Sequence, residues 1–471
     1  MRKILLLIML CILGNIGFSQ INSGNPAIPF GSNTGYSYGS MPNNLPTSGT
    51  YGISQAAADA YNAWKSNLTE TCTNGVRVKY DTQSETVSEG IGYGMLLSAY
   101  AGDKALFDNL YKFYKANVNS NGLMNWHTSG CSGIIGYNGA TDADEDAAMA
   151  LIIASKQWPS ATSPYNYLTE ATSLIGKIRQ YEIHPSTYQV VNGDAWGFDN
   201  SCRNPSYFAP AYYREFAKIE SSYASIWDNA VSTANTFLTT NRNATTGLVC
   251  NWADNTGASN SCNGNKEFGF DAIRNPWRMA TDVLWNGSTV ATTASDICTK
   301  MASWMNGYES NLKIPCAMNA SNPSAGTYKN GTAYMMSLAM MGVNGKASNL
   351  ATAYNNTVGL GSNEAYFSQT LRCITLFMMT GNFWKPSTVQ VTNPSLMTAT
   401  TNSFGTIITL TFNKSMAVPG SSALTEFTLK KNGVSVSNAF TSISSETNSI
   451  ILTLRNPLVA NNVLTISYTQ G

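Results

Sequence analysis

The chain has 471 residues, yet only 12% are charged, 28 Lys and Arg against 27 Asp and Glu, where an average soluble protein carries roughly 25%. A net charge of +1 offers no clustered basic field for nucleic acid, and 43% hydrophobic residues with 10 Trp, 24 Tyr and 17 Phe exclude disorder. The polar surface must therefore be built from Ser, Thr, Asn and Gly, which suits a neutral polyol better than an ion.

Met1, Arg2 and Lys3 precede an apolar run from Ile4 to Leu13 and then mostly small residues to Ser19. A positive start, a short apolar core and a small-residue exit read as a secretory signal over 1–19. The run is too short for a membrane anchor, which needs about 20 apolar residues, and no later stretch is apolar enough. Residues 20–50 are rich in Gly, Pro, Ser and Asn and read as an irregular wrap. Apolar residues then recur at helical spacing over 53–67, 89–101, 103–117, 143–157, 165–180 and 208–219, and again over 222–240, 271–285, 290–306, 331–342, 347–357 and 364–379. Twelve helices with long irregular connections predict a helical barrel of six hairpins over 20–386. After Pro386 the period changes to two, in 406–412, 450–454 and 463–468, with turn residues between. That predicts a small antiparallel β-sandwich over 387–471. Thr411-Phe-Asn-Lys-Ser-Met416 and the closing Ser467-Tyr-Thr-Gln-Gly471 resemble bacterial immunoglobulin-like modules. Without Trp there, a spacer or adhesive role is expected ahead of sugar binding.

Nine cysteines occur, Cys11 within the signal. The other eight, Cys72, Cys131, Cys202, Cys250, Cys262, Cys298, Cys316 and Cys373, suit disulfides in an oxidising compartment. Cys250 and Cys262 flank a Gly/Asn/Ser loop and form the nearest local pair. Zinc is not expected, since no C-x-x-C occurs and only His127 and His184 offer imidazole.

Three acidic features carry the chemistry. Glu89 lies among glycines in Ser88-Glu-Gly-Ile-Gly-Tyr-Gly-Met95. It reads either as a carboxylate near a helix N-terminus, with Ser88 as cap, or as a group beside bare backbone that a bulky ligand can approach. Asp142, Asp144, Glu145 and Asp146 precede an apolar run, where the helix dipole alone accounts for some of them. A calcium loop fails, because the sixth position from Asp142 is Ala147 and the twelfth is Ile153. Asp271 and Arg274 lie three apart, close enough on a helix to pair, with Trp277 and Arg278 beyond. Two carboxylates acting on a neutral polymer are the minimal kit for glycoside hydrolysis. No G-x-S-x-G elbow supports a serine nucleophile.

On these residues the sequence resembles glycoside hydrolase family 8. Ala140-Thr-Asp-Ala-Asp-Glu-Asp-Ala-Ala-Met149, running on to Trp158, resembles the family signature, departing only at Ala147, a packing position. Ser88 to Met95, Asn204-Pro-Ser-Tyr207, Asp271-Ala-Ile-Arg-Asn-Pro-Trp-Arg278 and Gly381-Asn-Phe-Trp384 resemble further blocks in the family's order, over about residues 50 to 386. The resemblance implies an (α/α)6 barrel and an inverting, endo-acting hydrolase of β-1,4-glycans that needs no cofactor. It implies Glu89 as general acid, Asp271 as general base and Asp142 holding the distorted sugar. Arg274 would orient Asp271 and keep its pKa low, and Tyr207 would help position water or sugar.

Sugar rings stack on aromatic faces. Trp126 and Trp196 are the expected platforms, Tyr366, Trp277 and Asp144 are expected to line the cleft, and Trp158, Trp304 and Trp384 are expected in the core. An Asp at position 271 resembles the cellulase-rich branch, so cellulose or soluble β-glucan is the first expectation, xylan the second and chitosan the third. A monomer is expected. The contrasting class is an inert carbohydrate-binding or adhesive protein.

Overall fold

The computed structural model describes residues 21–22, 24–31, 35–258, 267–305, 312–315, 324–325, 329–360, 364–389, 396–412, 416, 419, 421–446, 448–459 and 462–468. The signal expected over 1–19 lies outside them. No described helix is long and apolar enough to cross a membrane.

Twelve α-helices run through the described residues, one for each expected segment: α1 (Gln55–Leu68), α2 (Ser88–Ala101), α3 (Lys104–Ala116), α4 (Thr141–Gln157), α5 (Tyr167–Tyr181), α6 (Pro210–Ile219), α7 (Ala224–Asn241), α8 (Asn275–Asn286), α9 (Thr292–Met305), α10 (Lys329–Met341), α11 (Ala347–Gly359) and α12 (Tyr366–Met379). They divide by burial. Outer helices bury one stripe, as in α5, where Tyr167, Ala171, Leu174, Ile175 and Ile178 recur at helical spacing. The capped α3 is similar: Asp103 accepts the Leu106 N–H at 3.2 Å, and Leu106, Phe107, Leu110, Tyr111, Phe113 and Tyr114 face inward. Most inner helices are buried nearly all round, α6 with its exposed Lys218 being the exception. In α2 every residue except Glu89 is buried. The contacts α4–α2, α2–α12, α12–α10, α10–α8 and α8–α6 line up the six even-numbered helices, and the turn Pro205–Tyr207 touches both α4 and α8 across the remaining gap, which fits an α-helical barrel.

Two expectations for α2 are corrected. Ser88 is the first helical residue rather than the cap, and its N–H donates to the Trp126 carbonyl at 2.8 Å. The glycines serve helix packing rather than ligand approach. A Cβ on Gly92 would lie 2.9 Å from the Ala143 carbonyl oxygen, and one on Gly90 would lie 3.0 Å from the Tyr366 ring.

The wrap is tied down along its length. Asn22 N–H donates to Ala101 O at 2.9 Å and Tyr36 Oη to Met378 O at 2.9 Å, while Phe30 is buried against Phe377. Cys72 and Cys131 form a disulfide joining the strand Thr69–Cys72 to the turn after His127–Ser129. Cys202 is also disulfide-bonded. The expected Cys250–Cys262 pair is corrected in part: Cys250 carries a buried thiol, and Cys262 lies outside the described residues.

Beyond residue 395 the chain forms two antiparallel sheets. One orders Leu396–Thr401, Ile407–Phe412, Ser449–Leu454 and Phe440–Glu446; the other orders Val434–Ser435, Phe427–Lys431 and Leu464–Tyr468. In Ser449–Leu454 every second residue is buried, and Ile408 pairs with Leu452 in a small core that also holds Leu410 and Leu429.

Candidate active site

Four inner elements bring their N-terminal ends together. α2 supplies Glu89, α4 supplies Asp142, α12 supplies Tyr366, and the turn Ala272–Arg274 ahead of α8 supplies Asp271 and Arg274. Arg274 is the hub, with a side chain only 3% exposed. Its Nη1 donates to Glu89 Oε2 at 2.7 Å and to Asp142 Oδ2 at 2.5 Å, and its Nη2 donates to Asp271 Oδ1 at 3.1 Å. Three carboxylates thus share one guanidinium. They differ in access: Asp142 is 4% exposed, Glu89 20% and Asp271 33%.

Burial, with the neighbouring carboxylates adding to it, sets the protonation states. Burial pushes the Glu89 carboxyl up to about 7; Arg274 and the Tyr366 hydroxyl oppose the rise, while Asp142 and Asp271 add to it. The Tyr366 hydroxyl donates to Glu89 Oε1 at 2.8 Å. The expectation that Arg274 keeps the Asp271 pKa low is corrected: burial raises it, and Arg274, the Asn204 amide and the Trp252 indole beside it draw it back only in part. A carboxyl held protonated near neutrality beside a more accessible one is the arrangement for an acid and a base of different strength.

One turn along α4 the same chemistry repeats in closed form. Asp146 takes a bidentate pair from Arg278, Nη1 to Oδ1 at 2.6 Å and Nη2 to Oδ2 at 2.8 Å, with both side chains buried. Asp142 and Asp146 are four apart on α4, as Arg274 and Arg278 are on the facing segment. The two elements therefore meet in register along one face.

Of the expected lining residues, Trp126 is 44% exposed, and its carbonyl holds the N–H of Ser88, next to Glu89. Trp196 donates its Nε1 to Cys202 O at 3.2 Å and stacks on Trp252 at 5.8 Å. The Tyr207 ring lies 5.4 Å from the Arg274 guanidinium. Three expectations fail on burial, the first being Tyr366, which is 1% exposed and spends its hydroxyl on Glu89. Asp144 is fully buried and pushed up to about 8 by that burial; it accepts the Tyr114 hydroxyl and points away from Arg274. Trp277 is fully buried against Tyr93 and Phe383. Neither can touch a polymer in the cleft. Trp158 and Trp384 are core residues, and Trp304 packs on the core's edge.

Sequence reading missed the supports of Asp271. Asn251 Oδ1 accepts the N–H of Gly269 at 3.0 Å and of Ala272 at 2.9 Å, so a buried amide fixes the loop on both sides of Asp271. Trp252 follows it and joins the Trp196 platform to the Asp271 carboxylate. An Asn-Trp pair in a loop otherwise poor in large side chains was the available signal.

The chain belongs to glycosyl hydrolases family 8, whose profile matches residues 43–381. It is 36% identical over 399 residues to Endoglucanase 2 of Ruminiclostridium josui, covering 81% of this chain and 83% of that one. It is 38% identical over 329 residues to Endoglucanase C of Ruminiclostridium cellulolyticum, covering 68% and 70%. A solved apo structure of a β-1,3-1,4-glucanase from Paenibacillus sp. X4 superposes with a TM-score of 0.66 at 26% identity, over 76% of this chain and 100% of that one.

Proposed function

We propose that this chain is an endo-β-1,4-glucanase that cleaves cellulose or soluble β-glucan with inversion, on an (α/α)6 barrel over 20–386. Glu89, protonated near neutrality, gives its proton to the leaving glycosidic oxygen. Asp271, the more exposed carboxylate, takes a proton from the water that attacks the opposite ring face. Inversion needs the two carboxyls roughly 6.5–9.5 Å apart so that this water fits. Asp142 grips the sugar at the cleavage point, Arg274 holds all three groups in place, and Tyr207 positions water or sugar. Trp126 and Trp196 carry the neighbouring rings.

The observation that carries this reading is the single buried guanidinium shared by Glu89, Asp142 and Asp271. The relatives named endoglucanases favour glucan over xylan. Reducing-sugar release from carboxymethyl cellulose, xylan and chitosan tests the substrate: cellulose should lead. Release from none of the three would return the chain to the inert binding class.

An N-terminal signal over 1–19 and the Cys72–Cys131 disulfide support secretion, since such bonds persist in oxidising compartments. The two C-terminal sheets and their shared core support an immunoglobulin-like sandwich over 387–471 with a spacer or adhesive role.

A further inference from the structure

At the far end of α8 from Asp271 a second concavity opens. The twelve residues of α8, at about 1.5 Å each, put it about 18 Å along the helix from the candidate active site. It has a volume of about 360 Å³ and lies between the wrap at 37–39, the last turn of α8, one face of α9 and the end of α10. That volume is at the small end of the roughly 300–1,000 Å³ usual for ligand pockets. Every residue lining it is uncharged; Ser37, Ser288, Ser295, Thr299 and Asn344 supply hydroxyls and an amide. Those five side chains make no hydrogen bond to another described residue.

The remaining feature is Tyr38, 50% exposed on the rim. Its ring is seated rather than swinging: a Cβ on Gly287 would lie 3.0–3.1 Å from three of its ring atoms. The backbone beneath is clamped as well. Ser40 N–H donates to Met341 O at 2.8 Å and Ser40 Oγ to Val343 O at 2.7 Å. At Gly39 a Cβ would meet Met341 O at 2.1 Å, so only glycine lets the wrap lie this close. A rigid aromatic face beside uncommitted hydroxyls, with no charge nearby in the lining, matches the apolar face and hydroxyl rim of a neutral pyranose.

We propose that this hollow is a second carbohydrate site, in which Tyr38 stacks on one sugar ring while Ser288, Ser295, Thr299 and Asn344 bind its hydroxyls. It tethers a glucan chain at the opposite end of the barrel from the carboxylates and takes no part in bond cleavage. The proposal is separable from the hydrolytic reading, because binding here needs none of Glu89, Asp142 or Asp271.

The test uses the full chain with Glu89→Gln, titrated calorimetrically with cellohexaose. Two sites per chain are expected. Adding Tyr38→Ala should weaken the second by about tenfold, the loss of one aromatic stacking contact, and adding Ser295→Trp, which fills the hollow, should remove it. In the otherwise native enzyme, Tyr38→Ala should keep kcat on cellohexaose, which shows that the fold survives. A single site unchanged by both substitutions would overturn the proposal, while leaving hydrolysis to be judged from turnover alone.

Discussion

Asp142–Arg274 and Asp146–Arg278 are the same residue pair repeated one helical turn apart, and they differ in everything that decides function. The lower pair is balanced, one carboxylate forked onto one guanidinium, and both partners are sealed from water. The upper guanidinium faces three carboxylates, two of them open to the cleft. Balance makes the lower pair a strut. Imbalance makes the upper one reactive, because surplus negative charge in a buried setting is relieved by holding a proton on Glu89. Residue type alone does not separate the two; stoichiometry and access do.

The comparison breaks most visibly at the carboxylates themselves. Glu89→Gln and Asp271→Asn should each lower kcat by about 10²–10⁴-fold or more, the range for losing a general acid or base, while oligosaccharide binding and folding persist. Near-normal turnover in either variant would remove its target from the chemistry.

The next effect belongs to the strut. Arg278→Met leaves Asp146 buried without its cation and should cost about 3–5 kcal/mol of stability, measured by urea unfolding, with kcat per folded molecule little changed. Replacing Asp146 and Arg278 together by Leu and Met should recover much of that loss. A large fall in kcat at unchanged stability would instead make the lower pair part of the active machinery.

Smaller again is the platform. Trp126→Ala should raise KM on cello-oligosaccharides by about tenfold, on the scale of one stacking contact, with kcat less affected.

The smallest effect is a shift in pH. Turnover needs Glu89 protonated, so activity should fall as pH rises through about 7. It also needs Asp271 ionised, and because burial raises that group, the acid limb should lie above the ordinary aspartate range. The Tyr366 hydroxyl stabilises the ionised form of Glu89. Tyr366→Phe should therefore move the alkaline limb upward, by about one pH unit for one charged hydrogen bond. A downward move would mean that the hydroxyl favours the protonated acid.

How much of this the sequence showed depends on the range of the interaction. Helical periodicity is local, and all twelve helices lie near the segments where apolar spacing put them. The motifs likewise held Glu89, Asp142, Asp271 and Arg274. Membership of a motif does not say which way a side chain points. Asp144 is two residues from Asp142 and so about 200° around the helix; it faces Tyr114 and the interior. Trp277 sits three residues below Arg274, already inside the barrel. The glycines of α2 were read as space for a ligand, yet their partners, Ala143 and Tyr366, come from helices distant in sequence. Only the fold joins Arg274 to Glu89, 185 residues away, or sets Asn251 under the loop that carries Asp271.

The low charge of the chain gains meaning from this arrangement: of few acids, three converge on one guanidinium. Proton NMR of the products first released from a soluble β-1,4-glucan addresses that convergence most directly. Water activated by Asp271 opposite the departing oxygen delivers the α-anomer before mutarotation. Release of the β-anomer first would mean a covalent, retaining route and would contradict the division of labour between Glu89 and Asp271.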